Sequence, residues 1–105
     1  MLERDVESHL VQQTTAIGGK AFKFVSPSTA GASDRLVLLP VPPEHREIVQ
    51  RYVKLVEVKR PGEKQRPLQV WFQKEITSLG HCALCVDSKE AINQMLKGST
   101  LRLKK

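Results

Sequence analysis

Aromatic residues are scarce, at 5% of the chain, which argues against a broad platform for stacking the bases of a single strand. Cysteine is scarcer still. Two thiols, Cys82 and Cys85, in 105 residues do not make a small disulfide-braced scaffold. No apolar run approaches the length of a membrane span, and Met1-Leu2-Glu3-Arg4-Asp5 places charges where a signal peptide is apolar. The expectation is a cytoplasmic protein with no membrane partner. Internal repeats and a composition-marked linker are also missing, and a chain of 105 residues supports one domain, residues 1–105, with a single modest core. Acidic side chains fall short of basic ones, 11 against 17, for a net charge of +6 and a pI near 9.6. Such an excess draws polyanions through counterion release, although solvated surface lysines would give the same total. Hydrophobic content of 40% and charged content of 27% are those of an ordinary globular domain and argue against disorder.

Taken in order, Leu2, Val6, Leu10 and Val11 fall near one helical stripe, which predicts an amphipathic helix over residues 2–16 stopped by Gly18-Gly19. Residues 21–25 alternate as a short strand. The small residues of 26–33 read as a surface loop that leads to Asp34 and an apolar strand over 35–39. Pro43 opens a short helix through 44–50, because its missing N–H would be unpaired there anyway. A strand through 52–59 follows, then a basic loop, Glu63-Lys64-Gln65-Arg66. Pro67 opens a helix over 68–79, with Leu68, Trp71, Phe72, Ile76 and Leu79 as its packing face and Gly80 as its stop. A strand over 82–86 comes next. Asp87 and Glu90 frame the start of a last helix, which Gly98 ends. The alternation of helix and strand predicts an α/β fold with a mixed sheet and helices against its faces.

The informative stretch is Leu55-Val56-Glu57-Val58-Lys59. Strand side chains alternate, so Glu57 and Lys59 share one face and Val56 and Val58 the other. Burying such charges costs several kcal/mol unless they are paired or ligate a metal. The spacing alone is weak, since Asp87-Ser88-Lys89 repeats it at a helix start. Asp34 lifts the first copy. It begins one apolar strand while Glu57 nears the end of the next, and antiparallel pairing of those strands would bring the carboxylates together. Carboxylate oxygens of that kind suit Mg²⁺ or Mn²⁺.

Asp34 followed by Glu57-Val58-Lys59 on consecutive strands resembles the PD-(D/E)xK nuclease superfamily. Glu57-Val58-Lys59-Arg60-Pro61-Gly62, with Arg66-Pro67-Leu68-Gln69 downstream, is similar to the small VRR-NUC domains of phages, themselves similar to Holliday-junction resolvases. The resemblance runs from the first helix to the strand at 82–86. It implies a restriction-endonuclease-like core and a metal-dependent endonuclease acting on DNA, branched DNA above all, as a homodimer. It implies metal ligation by Glu3 (with Glu7 as the fallback), Asp34, Glu57 and the Val58 carbonyl, with Lys59 catalytic and Gln69 supporting. No small-molecule cofactor is implied. One departure stands out: Ser33 occupies the family's proline position before Asp34, which loosens the approach without removing a ligand.

Arg60, Lys64 and Arg66, directly after the catalytic strand, and Arg35, beside Asp34, are the expected DNA-backbone contacts. Cys82-x-x-Cys85 lacks the four ligands of a structural zinc site, and its thiols point to opposite faces of a strand, so inert packing is expected. His9, His45 and His81 are scattered without a nucleophile to serve. Two rival classes stand beside the nuclease: a DNA-binding module without catalysis, and an interaction domain in which Glu57 and Lys59 simply pair.

Overall fold

A computed structural model describes residues 2–24 and 34–103, and the side chains of all of these except residues 24, 34 and 98–103. The loop expected over 26–33, Val25 at the end of the first strand, and Lys104-Lys105 lie outside the described residues. The elements run α1 (Glu3–Ala16), β1 (Lys20–Phe24), β2 (Asp34–Leu38), α2 (Pro43–Tyr52), β3 (Lys54–Val58), α3 (Pro67–Ser78), β4 (Cys82–Val86) and α4 (Lys89–Leu103). This is an α/β chain in the order read from the sequence. It divides into two compact units, residues 1–40 and 41–105.

In the first unit β1 and β2 form an antiparallel ladder, from Lys20 opposite Leu38 to Phe24 opposite Asp34. α1 packs on β1. The Asp5 carboxylate accepts a hydrogen bond from the Leu2 N–H at 3.2 Å, which satisfies one donor at the helix start. At the other end the Gly19 N–H donates to the Thr14 carbonyl and the Gly18 N–H to that of Thr15, both at 3.0 Å. Gly18 has φ +83°, so the pair of glycines closes α1 in a Schellman turn. The expected stripe of Leu2, Val6 and Leu10 is exposed, and the buried residue of α1 is Thr14.

In the second unit β3 and β4 run parallel, with Lys54 opposite Cys82, Glu57 opposite Cys85 and Val58 opposite Val86. α3 is the crossover between them, as a parallel pair requires, and it packs on β4. The antiparallel pairing weighed for the strands of Asp34 and Glu57 is neither of the observed ladders, which are two two-stranded sheets. Core side chains here are Val41, Ile76, Leu79 and Val86. Leu68, Trp71 and Phe72, expected to pack, are instead at least 38% exposed. Trp71 and Phe72 meet edge to face, with ring centroids 5.2 Å apart.

The largest departures from the expected boundaries are at the α2–β3 junction and the end of α4. α2 runs on through Tyr52, so β3 starts at Lys54; the Val53 N–H still donates to the Val49 carbonyl at 3.0 Å and completes the last turn. α4 continues through Gly98 to Leu103. An internal glycine costs a helix about 1 kcal/mol relative to alanine and does not forbid it. At the start of α4 the Ser88 hydroxyl accepts from the Ala91 N–H at 3.1 Å, so serine caps the helix that Asp87 and Glu90 frame.

α3 ends at a junction that ties α2 to it. Gly80, at φ +92°, donates its N–H to the Thr77 carbonyl at 2.9 Å, and the His81 N–H reaches the Ile76 carbonyl at 3.4 Å. The Gly80 carbonyl accepts from Gln50 Nε2 at 2.9 Å, and the Val41 N–H donates to the Leu79 carbonyl at 2.8 Å. A Cβ at position 80 would lie 2.7 Å from Arg46 Nε, which is itself bound to the Val41 carbonyl, and 3.1 Å from Val41 Cβ. Gly80→Ala therefore meets both backbone strain and crowding. It is expected to destabilise the protein by about 2 kcal/mol, read as a lower urea midpoint with an unchanged slope.

Candidate active site

Glu57 lies one residue from the end of β3, and Lys59 follows the strand's last residue. The Lys59 N–H donates to the Val86 carbonyl at 2.9 Å, so pairing continues one residue beyond the strand. Alternation therefore holds through Lys59 and keeps both charged side chains on one face. Val58, on the other face, is 72% exposed.

The charged pair is largely shielded from water: the Lys59 and Glu57 side chains are 12% and 25% exposed, with Nζ 3.9 Å from Oε2. That separation is an ion pair beyond hydrogen-bond reach. The other carboxylate oxygen, Oε1, accepts a 2.6 Å hydrogen bond from Gln65 Nε2. Gln65 went unnoticed in the sequence, where it is one amide within a basic loop. An ion pair this long, with both members partly buried, adds little net stability.

Across the ladder, the Cys85 thiol is half-buried opposite Glu57. Burial pushes that thiol above its ordinary value, and the negative charges of Glu57, Asp87 and Glu63 push the same way against the opposing pull of Lys59. The cysteines are both free.

Gln69 sits in the first turn of α3, and its Oε1 accepts from the Arg66 N–H at 2.7 Å. It thus fixes the turn where the loop enters α3. Gln69 also lines, with Glu57, a cavity of about 220 Å³ between α3 and the β3–β4 ladder. Gln73 lines the same cavity, and its Nε2 is buried without a partner among the described residues. This second amide also escaped the sequence reading, since a glutamine on a helix carries no positional signal.

Arg60, Lys64 and Arg66 are exposed, as phosphate contacts must be. Arg35 is placed differently. Its Nε donates to Glu7 Oε2 at 2.9 Å and its Nη1 to the Ala21 carbonyl at 3.1 Å, so it fastens α1 to the β1–β2 ladder. The same contact occupies Glu7, whereas Glu3 is exposed and has no partner among the described residues. Asp34 opens β2, and its side chain lies outside the described ones.

For a divalent cation the second unit offers hard oxygen donors, the Glu57 carboxylate and the Val58 carbonyl, of the kind Mg²⁺ takes. Among the described residues no group of three His, Cys, Asp or Glu side chains could hold a metal. The oxygens present are of the kind such an ion takes, and two of them are fewer than its coordination needs.

Lys59→Met, which keeps the stem and removes the charge, is expected to leave stability unchanged or raise it by up to about 1 kcal/mol, read from the urea midpoint. Glu57→Gln removes the nearest negative charge from Cys85 and lowers its pKa, so the thiolate fraction near neutral pH rises. Alkylation of Cys85, followed by mass spectrometry, is then faster than in the parent, with Cys82 as the internal reference.

No family model and no solved structure matches the chain. It is 41% identical, over 88 residues, to "Putative nuclease p44" of Acyrthosiphon pisum secondary endosymbiont phage 1, an alignment that covers 84% of this chain and 85% of that protein. At that identity and coverage, the chain belongs to the same family as this phage protein.

Proposed function

We propose that this protein is a metal-dependent DNA endonuclease of the VRR-NUC type, within the PD-(D/E)xK superfamily, selective for branched DNA such as Holliday junctions. The observation that carries the reading is the Glu57–Lys59 pair at the end of β3, shielded from water and followed at once by an exposed basic loop. Neither stability nor helix capping calls for a half-buried acid and lysine there. The name borne by the phage relative supports a nuclease. The proposed framework is the restriction-endonuclease-like core, a mixed central sheet flanked by helices. Such a sheet contains antiparallel and parallel pairs, and one ladder of each kind, β1–β2 and β3–β4, supports the reading.

Glu57 and the Val58 carbonyl would hold Mg²⁺ or Mn²⁺, and the sequence resemblance adds Asp34 and Glu3. Pairing of Glu7 with Arg35 favours Glu3 as the helix ligand. When bound, the cation polarises the scissile phosphate and acidifies the attacking water. Lys59, held on the same face as Glu57, stabilises charge on the phosphate or orients the water. Gln69 positions the start of α3 beside Glu57. Arg60, Lys64 and Arg66 grip the DNA backbone and place it without reading sequence. With Arg35 occupied by Glu7, its proposed role passes from DNA contact to holding α1. Symmetric cutting of a four-way junction needs two sites, hence a C₂ homodimer. The proposed setting is the cytoplasm, and among the described residues no helix is long and apolar enough to cross a membrane.

Labelled linear duplex, single-stranded, splayed-arm and four-way junction DNA, each with Mg²⁺, Mn²⁺ or chelator, test the proposal. Cutting is expected with metal only, strongest on the junction, and reduced at least about 100-fold in Glu57→Gln and Lys59→Ala with DNA binding retained. Binding without cutting under every condition would replace the enzyme with a DNA-binding module of the same fold. Absence of both would end the nucleic-acid reading.

A further inference from the structure

Both oxygens of Glu57 already have partners: Oε2 the Lys59 ammonium at 3.9 Å, and Oε1 the neutral Gln65 amide N–H at 2.6 Å. A divalent cation approaching this carboxylate must therefore displace or share one of them. Lys59 is held by its strand, through the ladder bond to Val86 and a side chain only 12% exposed. Gln65 is held by a loop. That loop turns at Gly62, where φ is +80° and no atom lies within 4 Å of the place a Cβ would occupy. It is closed by the Glu63 N–H on the Arg60 carbonyl at 3.0 Å and the Arg60 N–H on Glu63 Oε1 at 3.2 Å, both local bonds. Gln65 is thus the partner that can leave.

The residues on either side of it suggest what makes it leave. Lys64 and Arg66 flank Gln65 directly in the chain, so the three share one short stretch of backbone. Lys64 and Arg66 are exposed while Gln65 is half-buried. A force applied to the two cations on the outside is transmitted to the amide on the inside.

We propose that Gln65 is a positioning residue that latches Glu57 in the free protein, and that the grip of Lys64 and Arg66 on a DNA backbone withdraws it and opens the carboxylate to the metal. The inference rests on the nuclease reading above and adds an order to it: DNA first, tight metal binding second. Binding linkage makes the effect reciprocal, so metal also tightens the hold on DNA.

The test is calorimetric titration of the full chain with MnCl₂ in the absence of DNA, comparing the parent, Gln65→Leu and Gln65→Leu/Glu57→Gln. Removing the donor is expected to tighten Mn²⁺ binding by roughly tenfold, the size of one hydrogen bond to a charged group, and the double variant is expected to lose it. An amide that merely orients Glu57 for the metal would give the opposite sign, since losing an orienting partner weakens metal binding. Weaker or unchanged Mn²⁺ binding in Gln65→Leu overturns the latch and leaves the nuclease standing. No Mn²⁺ binding by any variant, in a parallel titration with junction DNA as well, overturns both.

Discussion

Glu57 is a carboxylate kept half out of water at the end of a parallel strand, and the second unit is built in ways that make this tolerable. The β3–β4 ladder continues past β3 to the Lys59 N–H, so the lysine cannot rotate to the opposite face. The loop that follows returns Gln65 to the free oxygen. Gln69 anchors the end of that loop by binding the Arg66 N–H. The two loop contacts are short in sequence, eight and three residues, whereas the ladder bond needs β4 on the far side of α3. The Glu57–Lys59 pair itself brings little net stability, because it is long and its members are partly desolvated. A grouping that stability does not reward points to chemistry.

The elements themselves were largely legible in the sequence, because their punctuation is strong. Gly18-Gly19 and Gly80 each close a helix in a Schellman turn, and Pro43 and Pro67 each take a first helical position. Where reading failed, the signal was ambiguous. Tyr52 suits a strand as well as a helix end, and only the turn closed by Val53 on Val49 assigns it. Gly98 could stop a helix or be carried through one. Apolar spacing located α3 correctly yet overstated its packing, since Ile76 is buried while Trp71 and Phe72 are half-exposed. Strand pairing was harder. β2 and β3 are consecutive, but their ladder partners are β1 and β4, and a choice among neighbours depends on crossovers that local pattern does not encode.

The candidate site was legible to the extent that it depends on strand alternation. Period 2 alone places Glu57 and Lys59 on a shared face, and the structure keeps them there. What alternation cannot supply is the third partner. Gln65 lies eight residues from Glu57 in a loop with no periodicity, and Gln73 has none of the charge that draws attention to a site. Arg35 has a partner that its place beside Asp34 does not announce: Glu7, 28 residues upstream.

The central claim is that the Glu57 carboxylate holds a divalent cation. The most direct measurement is anomalous diffraction from crystals of the full chain soaked in MnCl₂ with bound junction DNA. The claim predicts a peak about 2.1 Å from a Glu57 oxygen, with the Gln65 amide no longer on that oxygen and no peak in Glu57→Gln. A Glu57 still bonded to Gln65 and Lys59, with manganese elsewhere or nowhere, would contradict it.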